Sequence, residues 1–298
     1  MRSFVRPSCL IFLWVAVSVH AAQFGTDRFV EYRPGELPLV FTSPHGGSLT
    51  PATIPDRKEG VTSKDVFTQE LTLAISDALH AATGRRPHVI LSHLHRRKLD
   101  PNRELKEAAA GQPPAERAWW EFHDFIRAAN AAAVTQHGFA FLVDIHGHAH
   151  AIPRVEVGYT LNNVQLNRDD RAFDAADLAS LSTLRDLHAR RGGSGADLIR
   201  GPRSLGTLLA ERGARAVPSR QEPQPGNAPY FSGGYIVQAH ARDPATPKVD
   251  GVQFEHQREG LRDTPENRAR YAAVVAEVLQ IFLRENYRYE AGAARPGR

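Results

Sequence analysis

An α/β class is what this sequence predicts, as a three-layer αβα sandwich around a mostly parallel central sheet. Two observations support it. Short apolar runs bounded by Gly, Pro or Asp alternate with longer stretches of helical periodicity, the pattern of strand–helix–strand units. The runs also stop at turn residues that carry His or Asp, as expected where a parallel sheet gathers ligands at the carboxyl ends of its strands.

The elements follow in chain order. Leu37 to Thr42 reads as a buried strand stopping at Pro44-His45-Gly46-Gly47. From Lys64 to Thr83 the apolar spacing is helical, with Thr62 or Ser63 as N-cap and Gly84 as the stop. Pro87 to His93 is a second strand, residues 104–116 form a polar loop, and a helix runs from Ala115 to Gln136, closed by Gly138. Phe139 to Asp144 is a third buried strand, ending at His146-Gly147; Val155 to Leu161 and Gly251 to His256 are two more. Leu178–Arg190, Ser204–Arg212 and Thr264–Tyr287 are helical, while 192–195 and 218–234 are Gly/Pro-rich loops expected near function.

The amino terminus looks like a targeting segment. Arg2 and Arg6 precede the apolar run Leu10 to Val17, and Ala21-Ala22 supplies a small-residue cleavage site. Residues 1–22 are therefore expected to be a signal peptide cut after Ala21 or Ala22, and residues 23–298 one domain, periplasmic or secreted, with no stable membrane anchor. The apolar run is short of the roughly 20 residues a spanning helix needs. Cys9 is the sole cysteine, so the mature chain has neither disulfide nor thiol chemistry. The net charge of +4 includes Arg2 and Arg6, leaving about +2, and basic residues are interleaved with acidic ones. That distribution argues against nucleic acid and suits anionic small molecules.

Four segments carry chemistry. His45 sits on a Gly turn after a strand, as either a ligand or a loop residue. Asp144 and His146 lie two apart, so they share one side of a strand, where the acid can orient the ring of a metal-binding His; His148 and His150 continue the alternation, which also fits a His-rich solvated turn. Asn102-Arg103, within Arg96 to Glu104, suits capture of a carboxylate, but taken alone the segment reads first as a charged surface turn. Glu255 stands in an apolar strand, where a carboxylate must pair with a cation or do a job. No His-Glu-x-x-His, Gly-x-Ser-x-Gly, phosphate-binding loop or dinucleotide glycine pattern occurs, which removes serine hydrolases, kinases and dehydrogenases.

Together these segments resemble the N-formylglutamate amidohydrolase family from about Leu39 to Arg262. The order is Pro-His-x-Gly, Asp65 with Glu70-Leu71, Arg96-x-x-x-Asp100-x-Asn102-Arg103, Phe122-His123-Asp124, Asp144-x-His146, Gly233-Gly234-Tyr235-Ile236 and Gln253-x-Glu255. The resemblance implies a phosphorylase/hydrolase-like sandwich shared with zinc carboxypeptidases and peptidoglycan amidases. It implies Zn2+ held by His45, His146 and an acid on the first helix, Asp65 or in reserve Glu70. Glu255 would be the general base and Arg96 the cation facing the oxyanion. Asn102 and Arg103 would hold a substrate carboxylate, with Gly233 and Gly234 lining the substrate. Gly46 and Gly147 replace the family's serines, and His240 lies one position late, so the chemistry transfers better than the exact substrate. The expected activity is hydrolysis of a C–N amide bond in a small N-acyl, carboxylate-bearing substrate. The alternatives are an exported peptidoglycan amidase or carboxypeptidase, and a non-catalytic exported protein that binds zinc or a metabolite, which would have no need of Glu255.

Overall fold

A computed structural model describes residues 21–242 and 247–292; the expected signal segment up to residue 20 and Cys9 lie outside these. Eight strands form one sheet in the order β1-β2-β4-β3-β5-β8-β6-β7. They are β1 (Gln23–Phe24), β2 (Val30–Arg33), β3 (Leu39–Ser43), β4 (His88–Ser92), β5 (Ala140–Gly147), β6 (Val155–Gly158), β7 (Ala216–Val217) and β8 (Val249–His256). The central four, β4-β3-β5-β8, are parallel neighbours, while β2 and β6 join them antiparallel on either side.

Both faces are covered, which is why the central strands are apolar on consecutive residues. Phe41, Phe141, Val143, Ile145 and Phe254 point into a core with Leu71, Ile75 and Leu79 of α1 (Thr68–Thr83) and with the carboxyl-terminal helix. Val40, Ala140 and Leu142, on the alternate positions, pack against Phe122, Ile126 and Ala129 of α3 (Pro113–His137). Short helices cover the β6–β7 end: α4 (Asn163–Leu166), α5 (Asp170–Ala175), α6 (Arg185–Arg191), α7 (Gly195–Arg200) and α8 (Leu205–Ala210). α9 (Tyr235–Val237) precedes β8, and α10 (Pro265–Tyr287) is capped by Thr264, whose side chain accepts from Asn267 N.

The structure departs from expectation at several points, each with a local cause. α1 begins at Thr68, not Lys64, because Phe67 adopts a left-handed conformation (φ 66°) that stops the helix there. The expected loop 104–116 holds a short helix, α2 (Leu105–Ala109), and the first turn of α3, whose Pro113-Pro114 start needs no backbone donor. Leu178–Arg190 is not continuous: a 3-10 turn ends at Leu181, Ser182 is extended, and α6 starts at Arg185. β5 runs on through His146 and Gly147 rather than ending before them. β2 had no visible signal because its core-facing residues alternate with Glu31, which is buried against Arg33 and His93.

Candidate metal centre

Register places the chemistry on two rungs across the carboxyl end of the sheet. Thr42, Asp144, Gln253 and Gly158 are cross-strand partners on β3, β5, β8 and β6. Two residues further along β5 and β8, His146, Glu255 and Glu156 form the next rung. Since residues i and i+2 share a face, Asp144, His146, Gln253 and Glu255 all project to one side, and all are buried. His45 joins them from the turn just after β3.

Asp65 reaches the same point from a loop and not from the first helix. Its N–H donates to His45 O (3.0 Å), which ties the loop before α1 to the histidine turn. Glu70, the reserve acid, is exposed in the first turn of α1 and takes no part in the cluster.

Three acceptor atoms converge. His45 Nδ1 lies 3.3 Å from Asp65 Oδ2 and 3.0 Å from His146 Nδ1, and His146 Nδ1 lies 3.4 Å from Asp65 Oδ2. On the far side of each ring a carboxylate accepts from Nε2: Asp100 Oδ1 from His45 at 2.6 Å, and Asp144 Oδ2 from His146 at 2.7 Å. With both Nε2 atoms donating, the rings turn their Nδ1 atoms toward each other and toward a carboxylate oxygen. Such a triangle needs positive charge at its edge or centre, which either a proton on His146 Nδ1 or a metal cation supplies. Its edges match the roughly 3.3 Å separation of ligands around a tetrahedral zinc with bonds of about 2.0–2.1 Å, so the donor set fits the ion. The carboxylates behind the rings are the partners that fix a ligand histidine's tautomer and raise its basicity.

The electrostatics follow from burial. His146 is penalised as a cation by desolvation, yet Asp144 and Asp65 outweigh this and hold its pKa well above the usual histidine value. Burial would raise Asp65, but His45 and His146 override it and keep the carboxyl far below the ordinary range. Asp100 is held down likewise, by His45 and Arg96. Glu255 is the opposite case: desolvation dominates and its carboxyl is pushed up to about 8. Gln253 Nε2 donates to Glu255 Oε1 (3.0 Å), while Oε2 is buried without a hydrogen-bond partner among the described residues.

All the expected site residues line one cavity of about 860 Å³, but several are differently employed. Arg96 commits Nε to Asp100 (2.9 Å) and Nη1 to Asp65 (3.3 Å), so in this structure it braces the acids of the candidate metal site. Asn102 is buried and occupied by the protein: Oδ1 accepts from Ile236 N (2.8 Å) and Nδ2 donates to Gln253 Oε1 (3.3 Å). That arrangement uses its oxygen and one of its two amide N–H groups within the protein. Gly233 has φ +125°, outside the range of L side chains, and a Cβ on Gly234 would overlap the Asn102 amide; both glycines let this loop close on Asn102. Arg103 is half-exposed, with Nε donating to Glu107 (3.0 Å) and Nη1 to Asn102 O (2.8 Å).

His123 and His240 have a supporting place. Their rings stack, His123 Nδ1 meets His240 Nε2 at 2.7 Å, and His123 Nε2 donates to Pro101 O (3.1 Å), bracing the segment that carries Asp100 and Asn102. A second group, His148, His150 and Glu156, also gathers metal-type ligands. Here His148 Nε2 donates to Arg154 O (2.7 Å) and Nδ1 accepts from His150 N (3.1 Å), so both ring nitrogens are occupied by backbone. Asp100 and Gln253 stand in the ordered motifs without an assigned role there, and Arg262 carries no motif signal.

No protein-family model matches the sequence. No curated protein matches it either. Solved structures do match in fold. N-formylglutamate amidohydrolase from Ralstonia eutropha JMP134 is similar with a TM-score of 0.52 at 12% identity, covering 86% of this chain and 98% of that one. A gene product of Agrobacterium tumefaciens is similar with a TM-score of 0.51 at 14% identity, covering 88% of this chain and 99% of that one. The resemblance read from the ordered motifs thus recurs in three dimensions as a shared α/β fold.

Proposed function

From the metal centre's geometry and the likeness of fold, we propose that this chain is a zinc-dependent hydrolase that cleaves the amide bond of a small N-acyl amino acid or a related carboxylate-bearing substrate. The observation that carries the reading is the convergence of His45 Nδ1, His146 Nδ1 and Asp65 Oδ2 in the wall of a cavity that Glu255 also lines. Three protein ligands leave a tetrahedral ion one open position, the mark of a catalytic site. When bound, zinc supplies Lewis acidity toward the amide carbonyl and toward water.

The chain's own groups supply the remainder. Gln253 fixes one oxygen of Glu255, leaving Oε2 to take a proton from the attacking water and return it to the departing amine. A raised pKa suits that exchange, and a bound dication would bring it down toward neutrality. Asp100 and Asp144 hold the histidine rings; Arg96 braces Asp65 and Asp100. Arg103, on the half-exposed part of the cavity, is tied to an exposed glutamate, a contact worth little in water and readily exchanged for a substrate carboxylate. The reading includes export, supported by the basic and apolar segment from Arg2 to Val17.

The test is release of free amino acid from N-formyl- and N-acetyl-amino acids, alongside release of the terminal residue from N-blocked dipeptides, with and without chelator. Chelator-sensitive turnover of the acyl-amino acids supports the reading. Turnover of dipeptides alone would assign the site to a carboxypeptidase, and no turnover of either by zinc-loaded protein would contradict it.

A further inference from the structure

Five arginines are buried among the described residues, and four have a carboxylate within 4 Å. Arg57 lies 3.8 Å from Asp100, Arg96 meets Asp65 and Asp100, Arg154 meets Glu222 at 2.5 Å, and Arg200 meets Asp170 at 2.8 Å. Arg262 is the exception: 3% exposed, it forms no ion pair with any described residue. Buried charges are ordinarily paired, because desolvation without a counter-charge is costly.

What holds Arg262 is a set of main-chain oxygens. Nε donates to His256 O (3.3 Å), Nη2 to His148 O (3.4 Å) and Nη1 to Val66 O. These three carbonyls come from β8, from the residues after His146 and from the loop that carries Asp65, so the guanidinium is set rigidly beside the metal centre. Five N–H donors serve three acceptors, which leaves one donor on each terminal nitrogen. Gly147 accommodates the group: a Cβ there would overlap the guanidinium. Arg262 and Gly147 both line the cavity with His146 and Glu255.

We propose that Arg262 is the anion-binding residue of the cavity's buried wall, and that the charge it lacks is supplied by a carboxylate of the substrate. A planar guanidinium with two outward donors matches a carboxylate's two oxygens. The proposal rests on the functional reading above for the word substrate, but not for the anion site itself. It adds to Arg103 a second and less solvent-screened cation, one with Asp65 and Glu255 in its field but in ion-pair contact with no described carboxylate.

Succinate serves as the probe, titrated by calorimetry into zinc-loaded protein, with succinamide as its neutral isostere. Wild type binds succinate saturably and succinamide more weakly. Arg262→Gln keeps two N–H donors for the carbonyls but removes the charge, and weakens succinate on the order of tenfold or more while leaving succinamide unchanged. Arg262→Lys keeps the charge without the fork and falls between. Zinc content, measured on each variant, separates this site from the metal centre. Succinate binding as tight in both variants as in wild type overturns the proposal, as does a loss found only in Arg103→Met. Absence of amide hydrolysis with these binding differences intact would sink the functional reading and leave the anion site standing.

Discussion

Asp100 Oδ1 lies 2.6 Å from His45 Nε2, the ring nitrogen opposite the one that meets His146 and Asp65. Asp100 is itself gripped by Arg96, so the orientation of His45 is set by a buried carboxylate that cannot swing away. Asp100→Asn should weaken zinc binding by about 10–100-fold, the usual effect of losing a carboxylate behind a ligand histidine. Competition against a chromogenic chelator reads this directly. Unchanged affinity would show that His45 needs no such support.

Glu255→Gln keeps the size of the side chain and its contact with Gln253 but removes the proton acceptor. Zinc content should stay at the wild-type level while turnover falls by about 10²–10⁴, the range of positioned acid–base catalysis. Near-normal turnover in a zinc-loaded variant would reassign Glu255 to a structural place.

Asn102 joins the segment after Pro101 to the amino end of α9, 134 positions away in sequence, through the Ile236 N–H. Asn102→Ala leaves that buried donor unsatisfied and should cost about 1–3 kcal/mol of stability in urea unfolding. A stable variant with a selective loss of carboxylate substrates would instead place Asn102 on the ligand.

His256 gives the fold an acid-sensitive point. Burial first, then the charges of Arg262, His148 and His146, depress its pKa to about 3, and Nε2 has no partner among the described residues. The unfolded chain, with an ordinary pKa near about 6.5, takes up the proton first as pH falls. The stability conferred by the neutral ring is therefore fully present above that value and is lost on acidification toward pH 3, at up to about 1.4 kcal/mol per pH unit. His256→Asn can keep a donor to His146 O and should flatten the acid limb of the melting temperature between pH 6 and pH 4, by roughly that slope. An unaltered acid limb would place the proton uptake elsewhere.

Much of this was legible in the chain because the central strands are uninterrupted apolar runs whose ends are marked by chemistry. His45, His146 and Glu255 each follow or end such a run, and a parallel sheet brings those ends together. Asp65 was found by motif order, but its loop setting was not visible, since Phe67's left-handed turn leaves no mark in the apolar spacing. The place of Asn102 depends on a partner on α9, and that of Arg96 on Asp65, brought to it by the fold beside its sequence neighbour Asp100. Arg262 is defined by three carbonyls from separate segments, a kind of contact that side-chain identity does not encode.

The central claim is that His45, Asp65 and His146 form one zinc site. Elemental analysis of purified, zinc-equilibrated protein after exhaustive dialysis tests it most directly, with His45→Ala, Asp65→Ala and His146→Ala prepared in parallel and checked for native circular dichroism. The account predicts about one zinc per chain in the wild type and a large loss in each folded variant, since three ligands hold one ion. Undiminished zinc in His45→Ala and His146→Ala would contradict it.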